Sequence, residues 1–280
     1  MKVLLCFCLL ILSAFSHASI VTTIKPLTLI SNAVTDGVEQ AQQLLPIGAS
    51  AHHYALKPSE RLAIQRAELV IWVGADHESF LAKLMANHAH VLSLRSVSSQ
   101  ALTWRDLNSL QGQPKTLDSH LWLAPDNAIK LAYKIAEIRG KQRPEYAAKY
   151  QQNAHHFAEQ VKGTLVQIQQ RFATLKQRDY LAYHDAYQYL EASLGLHYRG
   201  SLTVSPEQKA GLKHVLQIKQ QAQAQAWQCL LTEPQFDRKF TEQVFGKQMR
   251  YAMVDENFSQ ASSYSMGLQQ IADTIFKCLQ

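Results

Sequence analysis

The chain has 280 residues, 47% of them hydrophobic and 18% charged, a globular composition that excludes disordered and fibrous classes and leaves room for two lobes, each burying a core. Its formal charge of +6 is scattered, with no run of four or more positive residues, so nothing beyond the basic balance favours nucleic acid as a partner. Beyond the first eighteen residues no segment approaches the ~20 apolar residues that a membrane-spanning helix requires.

Residues 1–18 combine Lys2, an apolar run from Val3 to Phe15 and the small-residue pattern Ser16-His17-Ala18. This reads as a cleaved secretory signal, with the mature chain starting near Ser19. The run is short for a membrane anchor, and Cys6 lies too early within it to suggest a lipid-modified start. Cleavage removes Cys6 and Cys8 and leaves Cys229 and Cys278 as a single pair in an exported chain, where a disulfide is expected. Closing a loop of about 50 residues would contribute ~4 kcal/mol by the loop-entropy model and tie the terminal helix to the strand around Cys229. The alternative is two buried free thiols.

In chain order, Ile20 to Ile24 reads as a strand and Pro26 opens a helical pattern ending at Gly37. Gln43 to Pro46 is a second short strand, and Gly48 to Pro58 a loop carrying His52 and His53. A helix from Ser59 to Ala67 and a strand from Glu68 to Val73 follow, the strand leaving through Gly74. Phe80 to Met85 is helical, Val91 to Leu94 a strand, and Ser96 to Thr116 a polar loop. His120 to Leu123 is a short apolar piece, and Asp126 to Arg139 a helix ended by Gly140. After a long helix come strand Tyr180–Tyr183, helix Ala186–Ser193, strand Leu196–Tyr198, a loop to Pro206 and a helix from about Ala210 to Ala226. Strand Cys229–Thr232, a helix around Phe240 to Val244, strand Met249–Val254 and helix Tyr264–Leu279 complete the chain.

The long helix is the most regular stretch. From Pro144 to Leu175, Tyr146, Tyr150, Ala154, Phe157, Val161, Leu165, Ile168, Phe172 and Leu175 step by four or three, which keeps them on one face. Pro144 and Glu145 suit its first turn, Lys176 and Arg178 its negative end. At roughly 45 Å it exceeds the width of a small lobe, so it is expected to run along two lobes and join them. The expected fold class is therefore α/β, two parallel-sheet lobes joined by a long rigid helix. The division is 1–18 signal peptide, 19–143 N-terminal lobe, 144–176 linking helix and 177–280 C-terminal lobe. No internal repeat, G-x-G-x-x-G or Walker loop is present.

Ligands of such sheets sit outside the carboxyl ends of the strands. His52 lies in the loop after the second strand, His120 at the edge of an apolar segment, and His184 and Asp255 directly follow strands. If the lobes face each other, three imidazoles and a carboxylate converge on a cleft, a donor set suited to a borderline divalent ion such as Zn2+. Spacings of about 60 to 70 residues form no local motif, and a chain with twelve histidines places some near strand ends by chance.

The words around these residues carry a resemblance. Pro46-Ile47-Gly48-Ala49-Ser50-Ala51-His52-His53-Tyr54, ending in Lys57-Pro58-Ser59-Glu60, resembles the first metal motif of the zinc-uptake solute-binding proteins of ABC transporters, the ZnuA type, in a cluster that also holds manganese binders. Asp118-Ser119-His120-Leu121-Trp122-Leu123-Ala124-Pro125 is similar to the second motif and Tyr183-His184-Asp185-Ala186-Tyr187 to the third. Cys229 to Phe236 and Val254-Asp255 complete the order. The resemblance implies two (β/α)4 lobes with the metal between them. It puts the histidine ligands on His52, His120 and His184, with Asp255 at or near the ion.

Manganese relatives usually have a carboxylate where His184 stands, which favours zinc over a manganese or iron reading. The implied role is periplasmic capture of Zn2+ by a monomer that delivers it to an inner-membrane ABC permease with its cytoplasmic ATPase, without enzymatic activity. Departures are also visible. Ser96 to Thr116 lacks the histidine-rich loop of many zinc members, Ala51 stands where some have an acid, and His53 offers an alternative ligand. His77, His88 and His90 are expected to be solvated or at most a weak surface patch, and at least one of His155 and His156 should face water. Asp185 and Glu233 are candidates to orient an imidazole, with Asp185 alternatively a helix cap; Trp72 and Trp122 are expected in the core. The rivals are a secreted zinc hydrolase, disfavoured because no H-E-x-x-H motif or nearby general base exists, and a surface adhesin with a structural metal.

Overall fold

The computed structural model describes residues 19–98, 104–105, 116–203, 211–234 and 238–280. The expected signal segment and most of the polar Ser96–Thr116 and Val204–Ala210 loops lie outside the described residues. The first half runs β1 (Ile20–Thr22), α1 (Lys25–Val34), β2 (Gln42–Gln43), α2 (Pro58–Arg66), β3 (Leu69–Trp72), α3 (Ala82–Ala86), β4 (Val91–Ser93), α4 (Leu94–Val97), a two-stranded hairpin of β5 (Trp104–Arg105) and β6 (Thr116–Leu117), and α5 (Pro125–Gln142). The long helix α6 (Ala147–Phe172) follows. The second half is β7 (Asp179–His184), α7 (Gln188–Leu194), β8 (His197–Thr203), α8 (Leu212–Ala224), β9 (Cys229–Thr232), α9 (Arg238–Phe245), β10 (Arg250–Met253) and α10 (Tyr264–Leu279).

Two parallel four-stranded sheets result, in the orders β2-β1-β3-β4 and β10-β9-β7-β8. Counted from the first strand of each half, both orders read second, first, third, fourth. The halves thus share a topology without sharing sequence. In each, the chain reverses direction across the sheet beside the first strand, and loops leaving the carboxyl ends there are the natural place for a ligand.

The side chains of successive strand residues point to opposite faces, and the second sheet uses this to pack two layers. Tyr180 and Ala182 of β7 and Cys229 and Leu231 of β9 belong to the main hydrophobic cluster. Leu181 and Leu230 face the other way, with Leu202, Val215, Ile218 and Met249. The main cluster continues through α1, α5, α6 and α10 into the first sheet, from Ile20, Val70 and Ile71 to Phe157, Phe172 and Ile275. The main cluster is shared by both halves, because α1 and α10, from opposite halves, pack on α6 and on each other, while the outer face of the second sheet keeps a smaller cluster of its own.

Helix α6 has the predicted face: Tyr150, Ala154, Phe157, Val161, Ile168 and Phe172 are buried. Its 26 residues span about 39 Å. Pro144–Tyr146 forms a preceding 3-10 turn, leaving Tyr146 39% exposed. Gly140 does not end α5; it lies inside the helix, where a Cβ would come within 3.2 Å of the Ala147 Cβ, so its lack of a side chain lets α5 approach the start of α6. Cys229 and Cys278 form the expected disulfide, with Cα atoms 5.3 Å apart, joining the start of β9 to the end of α10. Among the described residues no helix is long and apolar enough to cross a membrane.

Candidate metal centre

Four histidines meet where loops from the carboxyl ends of both sheets face each other, in a cleft of about 300 Å³. His52 comes from the loop after β2. That loop is closed at its far end by Glu60, whose carboxylate accepts hydrogen bonds from the Tyr54 hydroxyl (2.9 Å) and the Lys57 N–H (2.8 Å) ahead of α2. His52 turns inward and is partly buried, while His53 is exposed.

His77 follows β3 after a turn at Gly74, whose φ of +146° disfavours an L side chain and where a Cβ would also meet the Arg95 Cβ at 3.0 Å. Glu78, fully buried, holds this turn by accepting from the Val73 N–H at 2.7 Å. The adjacent His77 ring is buried, and its Nδ1 lies 2.8 Å from the Ser119 hydroxyl.

His120 is buried just ahead of a 3-10 turn, Leu121–Leu123. Asp118 fixes it twice, its Oδ1 accepting from the His120 backbone N–H at 2.9 Å and contacting the ring Nδ1 at 2.8 Å. The other Asp118 oxygen accepts from the Gln188 N–H at 2.8 Å, at the start of α7 in the second half. His184 is the last residue of β7, and its Nδ1 pairs with Glu233 Oε1 at 2.5 Å. Glu233 stands one residue past β9 and is buried.

These tethers leave the Nε2 atoms to converge. One ligand atom each from His52, His77 and His120 lies within 4.8 Å of the others. His120 Nε2 and His184 Nε2 are 3.4 Å apart. Ring centroids of His120 lie 5.4 Å from His52, 5.1 Å from His77 and 5.2 Å from His184. Trp122, the expected core residue, is buried and also walls the cleft, its ring centroid 4.8 Å from that of His77.

The electrostatics separate the imidazoles into two kinds. Burial, reinforced by the neighbouring imidazoles, pushes His52 down to about 2 and His77 well below the usual range, so both remain neutral and able to ligate at neutral pH. Burial pushes His184 the same way, but the charge and hydrogen bond of Glu233 outweigh it and carry His184 up to about 9. Burial and repulsion from Glu233 push Glu256, on the cleft wall, up to about 8. The Glu233 carboxylate, on one side of a group of neutral imidazoles, favours a cation between them.

His52, His120 and His184 are brought together. Asp255 lines the same cleft, but its two carboxylate oxygens accept from the Ser259 N–H (2.7 Å) and hydroxyl (3.1 Å). Of the two acids considered as orienting partners, Glu233 pairs with His184. Asp185 does not cap α7, whose N-cap is Tyr187 without a side-chain cap. The expectation for His77 is corrected: it is 3% exposed and faces the other rings, while His88 is half-buried and His90 exposed. Its signal was its position just past the apolar run of β3, the same placement that singled out His184. His155 and His156 are both exposed.

The family model for ZnuA, "Zinc-uptake complex component A periplasmic", matches residues 20–278. The "High-affinity zinc uptake system protein ZnuA" of Haemophilus ducreyi is 32% identical, over 99% of this chain and 98% of that protein. A crystal structure of ZnuA superposes with a TM-score of 0.79 at 20% identity, over 94% of this chain and 100% of that one. The laminin-binding protein Lmb of Streptococcus agalactiae, described as an adhesin with metal-transporting activity, gives 0.80 at 19% identity, over 94% and 100%. The chain belongs to the ZnuA family, the zinc-capturing substrate-binding proteins of ABC-type zinc uptake.

Proposed function

We propose that this protein carries its zinc ion between the two halves on His52, His120 and His184, with Asp255 lending negative charge from the cleft wall. The observation that carries this reading is the 3.4 Å separation of His120 Nε2 and His184 Nε2. That is long for a hydrogen bond, and it is the spacing of two ligands held at ~2.0–2.1 Å from one tetrahedral ion, about 3.4 Å. The two residues come from opposite halves, so one ion would bridge them.

Residues 1–18 act as an export signal that is removed, and the mature chain works in the periplasm as a monomer. The division into lobes at 19–143 and 177–280, with 144–176 as the linking helix, follows the two sheets and the long helix between them. The recipient is an inner-membrane ABC permease driven by its cytoplasmic ATPase. We take the protein to perform no catalysis, a reading supported by the acids nearest the rings, Asp118 and Glu233, being engaged with His120 and His184.

Calorimetric titration of the metal-stripped mature protein tests the reading. One Zn2+ per chain is expected, with manganese binding far more weakly, and His120→Ala is expected to abolish stoichiometric uptake. Preference for manganese, or unchanged zinc binding in the variant, overturns it. Release of the native protein by osmotic shock in soluble form separates a periplasmic carrier from a surface adhesin.

A further inference from the structure

We propose that His77 is the fourth zinc ligand, so that the ion is held by four imidazoles and by no carboxylate or water. The inference rests on the reading that His52, His120 and His184 bind the ion, and adds what completes the shell. His77 is 3% exposed, its Nδ1 is engaged by Ser119, and its Nε2 is buried without a hydrogen-bond partner. An unpartnered ring nitrogen in a buried site is costly unless something else satisfies it. It belongs to the same group of ligand atoms within 4.8 Å as His52 and His120.

The ring spacing fits one ion. Imidazoles bound tetrahedrally through one nitrogen at ~2.0–2.1 Å place their centroids about 5 Å apart. The His77–His120, His120–His184 and His52–His120 centroids are 5.1, 5.2 and 5.4 Å apart, and His52 stands 4.3 Å from His77 and 6.4 Å from His184. A small movement of His52, on its loop, evens out the last two.

Asp255 is the competing fourth donor, and both its oxygens are held by Ser259. The charge that neutralises the ion then comes through the rings. Asp118 engages His120 Nδ1 and Glu233 engages His184 Nδ1, the arrangement by which a carboxylate orients a metal-bound imidazole and makes it more basic. An all-nitrogen shell favours zinc over manganese, magnesium and calcium, which prefer oxygen donors. A filled tetrahedron also leaves no open position for substrate, as catalysis at zinc would need.

X-ray absorption on the zinc-loaded mature protein decides the point without any variant. Four imidazole nitrogens at ~2.0 Å are expected, and a shell of three imidazoles plus oxygen overturns the proposal. His77→Gln keeps a hydrogen-bonding group for Ser119 and removes the ring. It is expected to lower zinc affinity by about 100-fold or more, beyond the upper end for losing an orienting partner, and to leave a three-imidazole shell. Unchanged affinity overturns the role of His77. Loss of the His77 role alone leaves zinc on three imidazoles, whereas zinc retained undiminished in His120→Ala removes the underlying site.

Discussion

The two halves share one strand order, yet they are tied down by different chemistry and bring different groups to the cleft. The first half is clamped by a charged cluster. Arg139 of α5, 0% exposed, donates to Glu39 at 2.9 and 2.7 Å and to Glu68 at 3.0 Å, and the Tyr150 hydroxyl of α6 donates to Glu39 at 2.8 Å. The second half is clamped covalently by Cys229–Cys278. In the cleft the first half supplies His52 and His77, which burial keeps neutral, after its second and third strands. The second half supplies an imidazole coupled to an acid, with Glu233 after its third strand, the place His77 holds in the first. One topology therefore serves two duties: neutral donors on one side, negative charge on the other. Segment 118–122 joins them, for Trp122 Nε1 donates to the Glu256 carbonyl at 2.8 Å and the Tyr264 hydroxyl to the Trp122 carbonyl at 2.6 Å. With the hydrophobic core also shared, any opening that releases the ion is expected to be small, by shear or loop movement and not by a wide hinge.

The largest effect should come from the charged clamp. Arg139→Met leaves the largely buried Glu39 with only the more distant Arg143, at 3.9 Å, and is expected to cost ~3–5 kcal/mol in denaturant melts. Glu39 is pulled upward by burial but held below its usual 4.5 by hydrogen bonds from Ser19, Tyr150 and Arg139 and by the Arg139 charge. Its contribution is thus complete above about pH 4.5 and lost as the pH falls through the lowered folded value. Glu39→Gln should flatten the acid limb of the stability profile, and a limb as steep as in the native chain removes the clamp from the account. In the other half, the Cys229→Ala, Cys278→Ala double variant should lose about 4 kcal/mol by loop entropy, at all pH values alike. A loss that varies with pH in parallel with the Glu39 limb would show that the clamps are not independent. Smallest is the difference between the two acids of the second half. Glu233→Gln should weaken zinc binding about 10–100-fold by loosening His184. Asp255→Asn, whose oxygens already serve Ser259, should change it by less than about 10-fold. Equal losses in calorimetric titration would mean that Asp255 reaches the ion.

Much of this was readable along the chain. The unbroken period from Tyr150 to Phe172 appears as α6, and the short apolar runs at Ile20–Thr22, Leu69–Trp72 and Cys229–Thr232 appear as strands, because a 3.6-residue period or a short apolar run is a local pattern. His184 and its place at a strand end were legible for the same reason. Gly140 misled, since the reason for a glycine there is the nearness of Ala147, a contact between two helices. His77 was grouped with His88 and His90 because they are close in sequence, whereas the turn at Gly74 and the buried Glu78 carry it inward. The pairing of Asp118 with His120 spans two residues, yet its second bond, to Gln188, depends on the halves being packed together.

What residue order and composition settle here are the periodic elements, the single pair of late cysteines and the words that mark a zinc-uptake family, all properties of short stretches of chain. What folding alone decides is which imidazole nitrogens share one point, which acids are spent on other partners, and that both halves share the main hydrophobic cluster. Those outcomes depend on distances of a few ångströms between residues as many as 142 positions apart, as in the Tyr264–Trp122 bond, and no local pattern encodes such a distance.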